Sequence, residues 1–153
     1  MFEEIREKRG LAYAVSTNIR KHKESGAFLV HCGLNAKNLG LAFKVILTEL
    51  KKIRKASIPK AELSRAKDYI LGNLAMGLES TLSSMFYIGE SLCSRDEVMD
   101  YAVIEERIQR ITSADLKAIA SRVFLPDKLK VAIVTDRKES YARDLKTIVR
   151  RYA

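Results

Sequence analysis

Phe2-Glu3-Glu4-Ile5-Arg6-Glu7-Lys8-Arg9-Gly10-Leu11-Ala12-Tyr13 decides the architecture, because the chain changes its periodicity within this one stretch. Residues 2–9 read as the tail of a helix, with Arg6 and Arg9 near its C-terminal end, where cations oppose the macrodipole. Gly10 then stops it, since a residue without Cβ suits the left-handed cap. From Ala12 onward apolar residues alternate, so a strand begins where the helix ends.

Two strands follow. Tyr13, Val15, Thr17 and Ile19 alternate over residues 12–20, and Phe28, Val30 and Cys32 do so over 26–33. Lys21-His22-Lys23-Glu24-Ser25-Gly26 between them is a polar turn, which predicts a hairpin. Asn35 is placed to cap a helix over 36–55, whose apolar stripe is Leu39, Phe43, Ile46, Leu50 and Ile53. Ser57 and Pro59 open a longer helical tract reaching residue 93, with Leu63, Ala66, Ile70, Leu74, Leu78, Leu82, Met85 and Leu92 along one face. Gly72 and Gly77 weaken its interior, so a break is expected near Glu79-Ser80-Thr81. Further helices fit 98–109 and 113–124, the second headed by Ser113 and ended by Leu125-Pro126. Leu129, Val131 and Ile133 alternate as a third strand, and 139–152 is amphipathic through Tyr141, Leu145, Ile148 and Tyr152. Helices in series beside hairpin strands predict an α+β fold of two layers, a mostly antiparallel sheet with helices packed on one face.

The opening Arg6-Glu7-Lys8-Arg9-Gly10-Leu11-Ala12-Tyr13 resembles a substrate-gripping motif of the pitrilysin/insulinase zinc metallopeptidases, a family that includes the mitochondrial processing peptidases. The similarity runs over residues 1 to 135. It implies the C-terminal half-domain of such an enzyme, in which Arg6 and Tyr13 are substrate-binding residues that reach toward an active site in the opposite half. The family's catalytic zinc lies on an inverted His-x-x-Glu-His helix, and no such motif occurs in this sequence. The resemblance therefore implies no catalytic residue, metal or cofactor in this chain, and zinc in a partner half. It also implies that the first strand and helix of the half-domain are missing here, which leaves a sheet edge open to self-association.

Composition bounds the remaining classes. The 153 residues are 47% apolar and 31% charged, enough for a packed core in a single domain spanning 1–153. No apolar run is long enough to cross a membrane, and the acidic start at Glu3 and Glu4 is unlike a signal peptide, so a cytoplasmic protein is expected. Cys32 and Cys93 stand apart with no Cys-x-x-Cys neighbour, the pattern of small core residues. His22 falls in the turn and His31 on a strand, without the three or four ligands zinc requires. Glu3, Glu4, Glu7, Glu105 and Glu106 lie among Lys and Arg as solvated ion-pair partners.

The net charge of +9 is uneven. Residues 1–60 hold 13 Lys and Arg against 5 Asp and Glu, whereas 61–110 hold 5 against 9. Much of the excess closes a helix at Lys51, Lys52, Arg54 and Lys55, and none of it is interleaved with aromatics, so no nucleic-acid groove is expected. Three functions compete on this evidence: a peptide-binding half of a zinc endopeptidase, a non-catalytic assembly or peptide-binding subunit, and a basic anion-binding module. A zinc-bearing half and a peptide are the partners of the first.

Overall fold

The computed structural model describes residues 3–135 and 141–152. Strands β1 (Ala12–Lys21) and β2 (Gly26–Leu34) form a two-stranded antiparallel sheet, and six α-helices complete an α+β fold. These helices are α1 (Leu39–Lys55), α2 (Lys60–Leu78), α3 (Thr81–Arg95), α4 (Tyr101–Arg110), α5 (Ser113–Val123) and α6 (Tyr141–Tyr152). The chain divides into two compact units. One takes the residues up to Arg20, Phe28–Ala56 and those from Lys117 onward, and the other takes Lys21–Ala27 and Ser57–Leu116.

The spine of the first unit is α1. Ala42 enters a cluster with Ile5, Leu11 and Ala12, while Phe43, Leu47 and Leu50 enter a second with Leu145 of α6. Ile46 packs against both clusters. Phe43 and Leu50 were on the stripe read from the sequence, but Ala42 and Leu47 were not. The buried face is wider than one line of residues because α1 is covered by two neighbours. Phe124 meets Phe28 edge to face, with ring centroids 5.0 Å apart, a favourable aromatic geometry. Asn35 caps as expected, its side-chain oxygen accepting from the Lys37 backbone N–H at 3.2 Å, although the turn it heads, Ala36–Asn38, is a 3-10 helix leading into α1.

In the second unit the long tract is split as the sequence predicted, α2 ending at Leu78 and α3 starting at Thr81. Ser80 caps α3 through the Ser83 N–H, and the Ser84 hydroxyl donates to the Leu78 carbonyl at 2.7 Å, which holds the bend. The face it buries differs from the expected one. Leu71 and Ser91 are buried, whereas Ile70, Leu82, Met85 and Leu92 are about half exposed. In α3 the break accounts for this, because it resets the angle of every residue after it, whereas Ile70 and Leu71 precede the break and the α2 face simply turns through Leu71 rather than Ile70.

Two further expectations are corrected. Leu129, Val131 and Ile133 do not form a third strand, since residues 129–135 have no ladder partner among the described residues and the sheet is β1 and β2 alone. A strand needs a neighbour to take its N–H and C=O groups, and alternation alone supplies none. Ser113 does not cap α5: Thr112 does, in a reciprocal box with Asp115. The Thr112 N–H and hydroxyl donate to the Asp115 carboxylate at 2.8 and 2.7 Å, and the Asp115 N–H donates back to the Thr112 hydroxyl at 3.2 Å. These bonds hold the Asp115 carboxyl below the ordinary carboxylate range. The amphipathic tail forms α6, with Leu145 buried and Ile148 beside it. Residues 139 and 140 and the Tyr152 side chain lie outside the described residues.

Candidate functional site

The turn between Arg6 and Tyr13 includes two backbone hydrogen bonds wider than those of an α-helix. Glu3–Glu7 is a single π-turn, in which the Lys8 N–H reaches the Glu3 carbonyl at 2.8 Å. Gly10, at φ +58°, then reverses the chain, donating to the Arg6 carbonyl at 3.0 Å while the Leu11 N–H reaches the Ile5 carbonyl at 2.9 Å. Each of these bonds spans one residue more than in the Schellman cap. Short π segments of this kind recur at functional sites.

Packing clamps the turn from below. Ile5 is fully buried, and Leu11 and Ala12 are 7% exposed, all three in the cluster around Ala42. The Asn38 side chain adds a hydrogen bond to the Leu11 carbonyl at 3.1 Å. Outside, Lys8 bonds Glu3 at 3.0 Å and Glu4 at 2.7 Å, and Arg9 also bonds Glu4. Those two cations lower the Glu4 carboxyl to about 2, and the two carboxylates raise Lys8 to about 12.

Arg6 and Tyr13 themselves are exposed. Alternation along β1 puts Tyr13 on one face with Val15 and Ile19, yet it is not a core aromatic, because 72% of the residue is open. Its ring lies instead on the backbone of Gly33 in β2. A Cβ built on Gly33 would stand 2.6 Å from the nearer ring carbon, so the ring fills the place a side chain would take. Among the described residues the Tyr13 hydroxyl has no hydrogen-bond partner. The result is a phenol with a supported ring and a free tip, able to donate to a carbonyl or accept from an amide.

Gly33 was missed at the level of sequence. The only available signal was a glycine within a strand, a known mark of close approach by another group.

Among the described residues no three His, Cys, Asp or Glu side chains come together. His22 and His31 are exposed, and the Cys32 thiol is pushed up by burial, which disfavours the thiolate a metal would bind. The described residues do not fit zinc. No described helix is long and apolar enough to cross a membrane.

A separate concavity of about 410 Å³ lies at the α2–α3 bend, lined by Leu78, Glu79, Thr81, Ser84, Met85 and Ile88. It is open and mostly apolar, and Glu79 is its one ionisable side chain.

Comparison with known proteins agrees with the motif at residues 6–13. The profile described as "Peptidase M16 inactive domain" matches residues 1–70. An uncharacterized zinc protease of Streptomyces coelicolor is 30% identical over 95% of this chain, and the uncharacterized zinc protease YmxG of Bacillus subtilis is 27% identical over 83%. The chain spans about a third of the length of these relatives, 31% in each case. In structure it resembles a chain of Complex III2 from Candida albicans with Inz-5 bound, at TM-score 0.73 and 16% identity, covering 95% of this chain and 35% of that one. It also resembles the periplasmic protease PqqL of Escherichia coli, at TM-score 0.58 and 20% identity, covering 79% and 14%. The structural likenesses establish the fold. The profile over residues 1–70 is the inactive domain of the M16 peptidases, and the zinc-protease relatives extend the similarity over most of the chain, in agreement with the pitrilysin/insulinase resemblance of its motif.

Proposed function

We propose that this chain is the substrate-binding half of a zinc-dependent endopeptidase that works opposite a zinc-bearing half carried by another stretch of polypeptide. The observation that carries this reading is Tyr13: an aromatic at the start of a strand, exposed by 72%, its hydroxyl without a partner among the described residues, beside a turn that the buried Ile5, Leu11 and Ala12 hold fixed. Rigid support beneath an exposed polar tip is what positioning a peptide carbonyl requires. The phenol donates a hydrogen bond to that oxygen. Arg6 supplies a permanent positive charge and a fork of donors from the same turn.

Such groups raise the rate when they bind the oxygen more tightly as it becomes an oxyanion. Cleavage itself then belongs to the partner half, since the described residues of this chain do not fit a metal. A peptide is the substrate class, and the expected compartment is the cytoplasm.

The test joins the chain to a zinc-bearing M16 half and measures peptide cleavage. Arg6→Ala is expected to lower kcat/KM by about 10²-fold, within the range found for removing one donor to a developing oxyanion, with zinc content and thermal melting unchanged. Normal kinetics in Arg6→Ala would remove that residue from the site. A loss of rate matched by a loss of zinc or of folding would mark it as structural.

A further inference from the structure

We propose that Gly33 is a positioning residue, whose missing side chain seats the Tyr13 ring and so aims its hydroxyl. The functional consequence rests on the substrate-binding reading above, whereas the seat itself is a matter of geometry. A Cβ on Gly33 would stand 2.6, 3.1 and 3.3 Å from three adjacent carbons of the Tyr13 ring. Ordinary Cβ contacts begin near 3.4 Å, so an alanine and the ring cannot both keep their places.

Nothing else at this position calls for glycine. Gly33 lies inside β2, and the one glycine with positive φ is Gly10. Within a strand, alanine loses less conformational freedom on folding than glycine does, so glycine here carries a cost in stability. The ring laid across Gly33 covers backbone that a side chain would otherwise cover, as aromatics do for strand glycines elsewhere.

The ring has somewhere to go when displaced. Tyr13 is 72% exposed, so an added methyl group would push it outward into solvent rather than into the core. Folding should therefore survive while the hydroxyl moves. That separation distinguishes a positioning role from a structural one.

The experiment uses the 153-residue chain with fluorine-labelled tyrosine. Six tyrosines give six resonances, and Tyr13→Phe identifies the one from Tyr13. Gly33→Ala is expected to shift that resonance well beyond any other. Melting supplies the second readout: Gly33→Ala should raise Tm in a Tyr13→Ala background, where only the strand preference acts, and should fail to raise it when the ring is present. An unmoved Tyr13 resonance would overturn the proposal, as would a change in Tm that is the same with and without the ring. Failure of Gly33→Ala to fold in both backgrounds would also overturn it, whereas folding restored by Tyr13→Ala would support it.

In the joined enzyme, Gly33→Ala should lower kcat/KM by tenfold to about 10²-fold, the scale of a group misplaced by about 1 Å. It should add little once Tyr13→Phe has removed the hydroxyl. If Tyr13→Phe alone leaves kcat/KM unchanged, the peptidase reading fails, and the fluorine shift still decides the seat.

Discussion

Tyr13 and Gly33 show how far single residues could be read from the sequence. The motif at residues 6–13 named Tyr13, and alternation along β1 offered it a place in the core, but neither reveals that the ring lies on a glycine more than one strand away in sequence. Side-chain pairing across a hairpin depends on which residues the turn brings opposite each other. A second effect at this scale was legible only in part. Glu3 and Glu4 were read as solvated ion-pair partners, and the structure gives Glu4 both Lys8 and Arg9. Glu4 is thereby lowered from 4.5 to about 2. Between those values the unfolded chain binds a proton that the folded chain does not, so the stabilisation is complete above pH 4.5 and disappears as pH falls to 2. Lys8 has the opposite sign: raised from 10.5 to about 12, it stabilises fully below pH 10.5 and ceases to do so as pH rises through 12. The urea midpoints of the wild type and Glu4→Gln should therefore differ at pH 5 and converge by pH 2. A difference that stays constant across that interval would show that the ion pairs are not its source. Lys8 and Arg9 are exposed and Glu4 is half-buried at the surface, so water screens these pairs and the effect is small.

At the scale of elements, what the sequence displayed well was local. Both strands, the polar turn, the Asn35 cap and the break at Glu79-Ser80-Thr81 follow from residues close together in the chain. What it hid was pairing at a distance. The alternation at Leu129, Val131 and Ile133 has the pattern of a strand, yet among the described residues it joins no ladder. The α5 cap was displaced by one residue for a similar reason. Ser113 and Thr112 are both good caps by type, and the choice between them is made by Ile58, whose backbone N–H donates to the Ser113 hydroxyl at 2.7 Å. That bond ties the entry of α2 to the start of α5 across a separation of 55 residues. Ser113→Ala leaves the Ile58 N–H unpaired in a half-buried position and should reduce stability by about 1 kcal/mol, the usual net worth of one hydrogen bond. Denaturant unfolding with an unchanged m-value would measure it. If Ser113 were the cap of α5, the loss would instead be accompanied by reduced helicity at residues 113–116 in amide exchange.

Across the whole molecule, the exposed apolar surface is larger than the sequence suggested. In the second unit Tyr69, Ile70, Met76, Leu82, Met85 and Phe86 are each more than half exposed, and in the first Val134 is fully exposed. Apolar side chains on one helix face, such as Leu82 and Phe86 one turn apart on α3, favour association in soluble proteins. We expect sedimentation velocity to show concentration-dependent self-association of the 153-residue chain, reduced by Leu82→Ser with Phe86→Ser. A monomer whose sedimentation is independent of concentration would contradict this.

The family resemblance was legible at this scale because its motif is short and continuous, whereas the zinc-bearing half proposed here, on the same or a separate polypeptide, has no motif in this sequence. The peptidase account rests most directly on the Tyr13 hydroxyl, and Tyr13→Phe in the joined enzyme removes that hydroxyl while keeping the ring on Gly33. The account predicts that kcat/KM for peptide cleavage falls by about 10²- to 10³-fold, the loss typical of one oxyanion donor, with zinc content and Tm unchanged. Turnover equal to the wild type would contradict it and leave Tyr13 an exposed strand aromatic without a part in the chemistry.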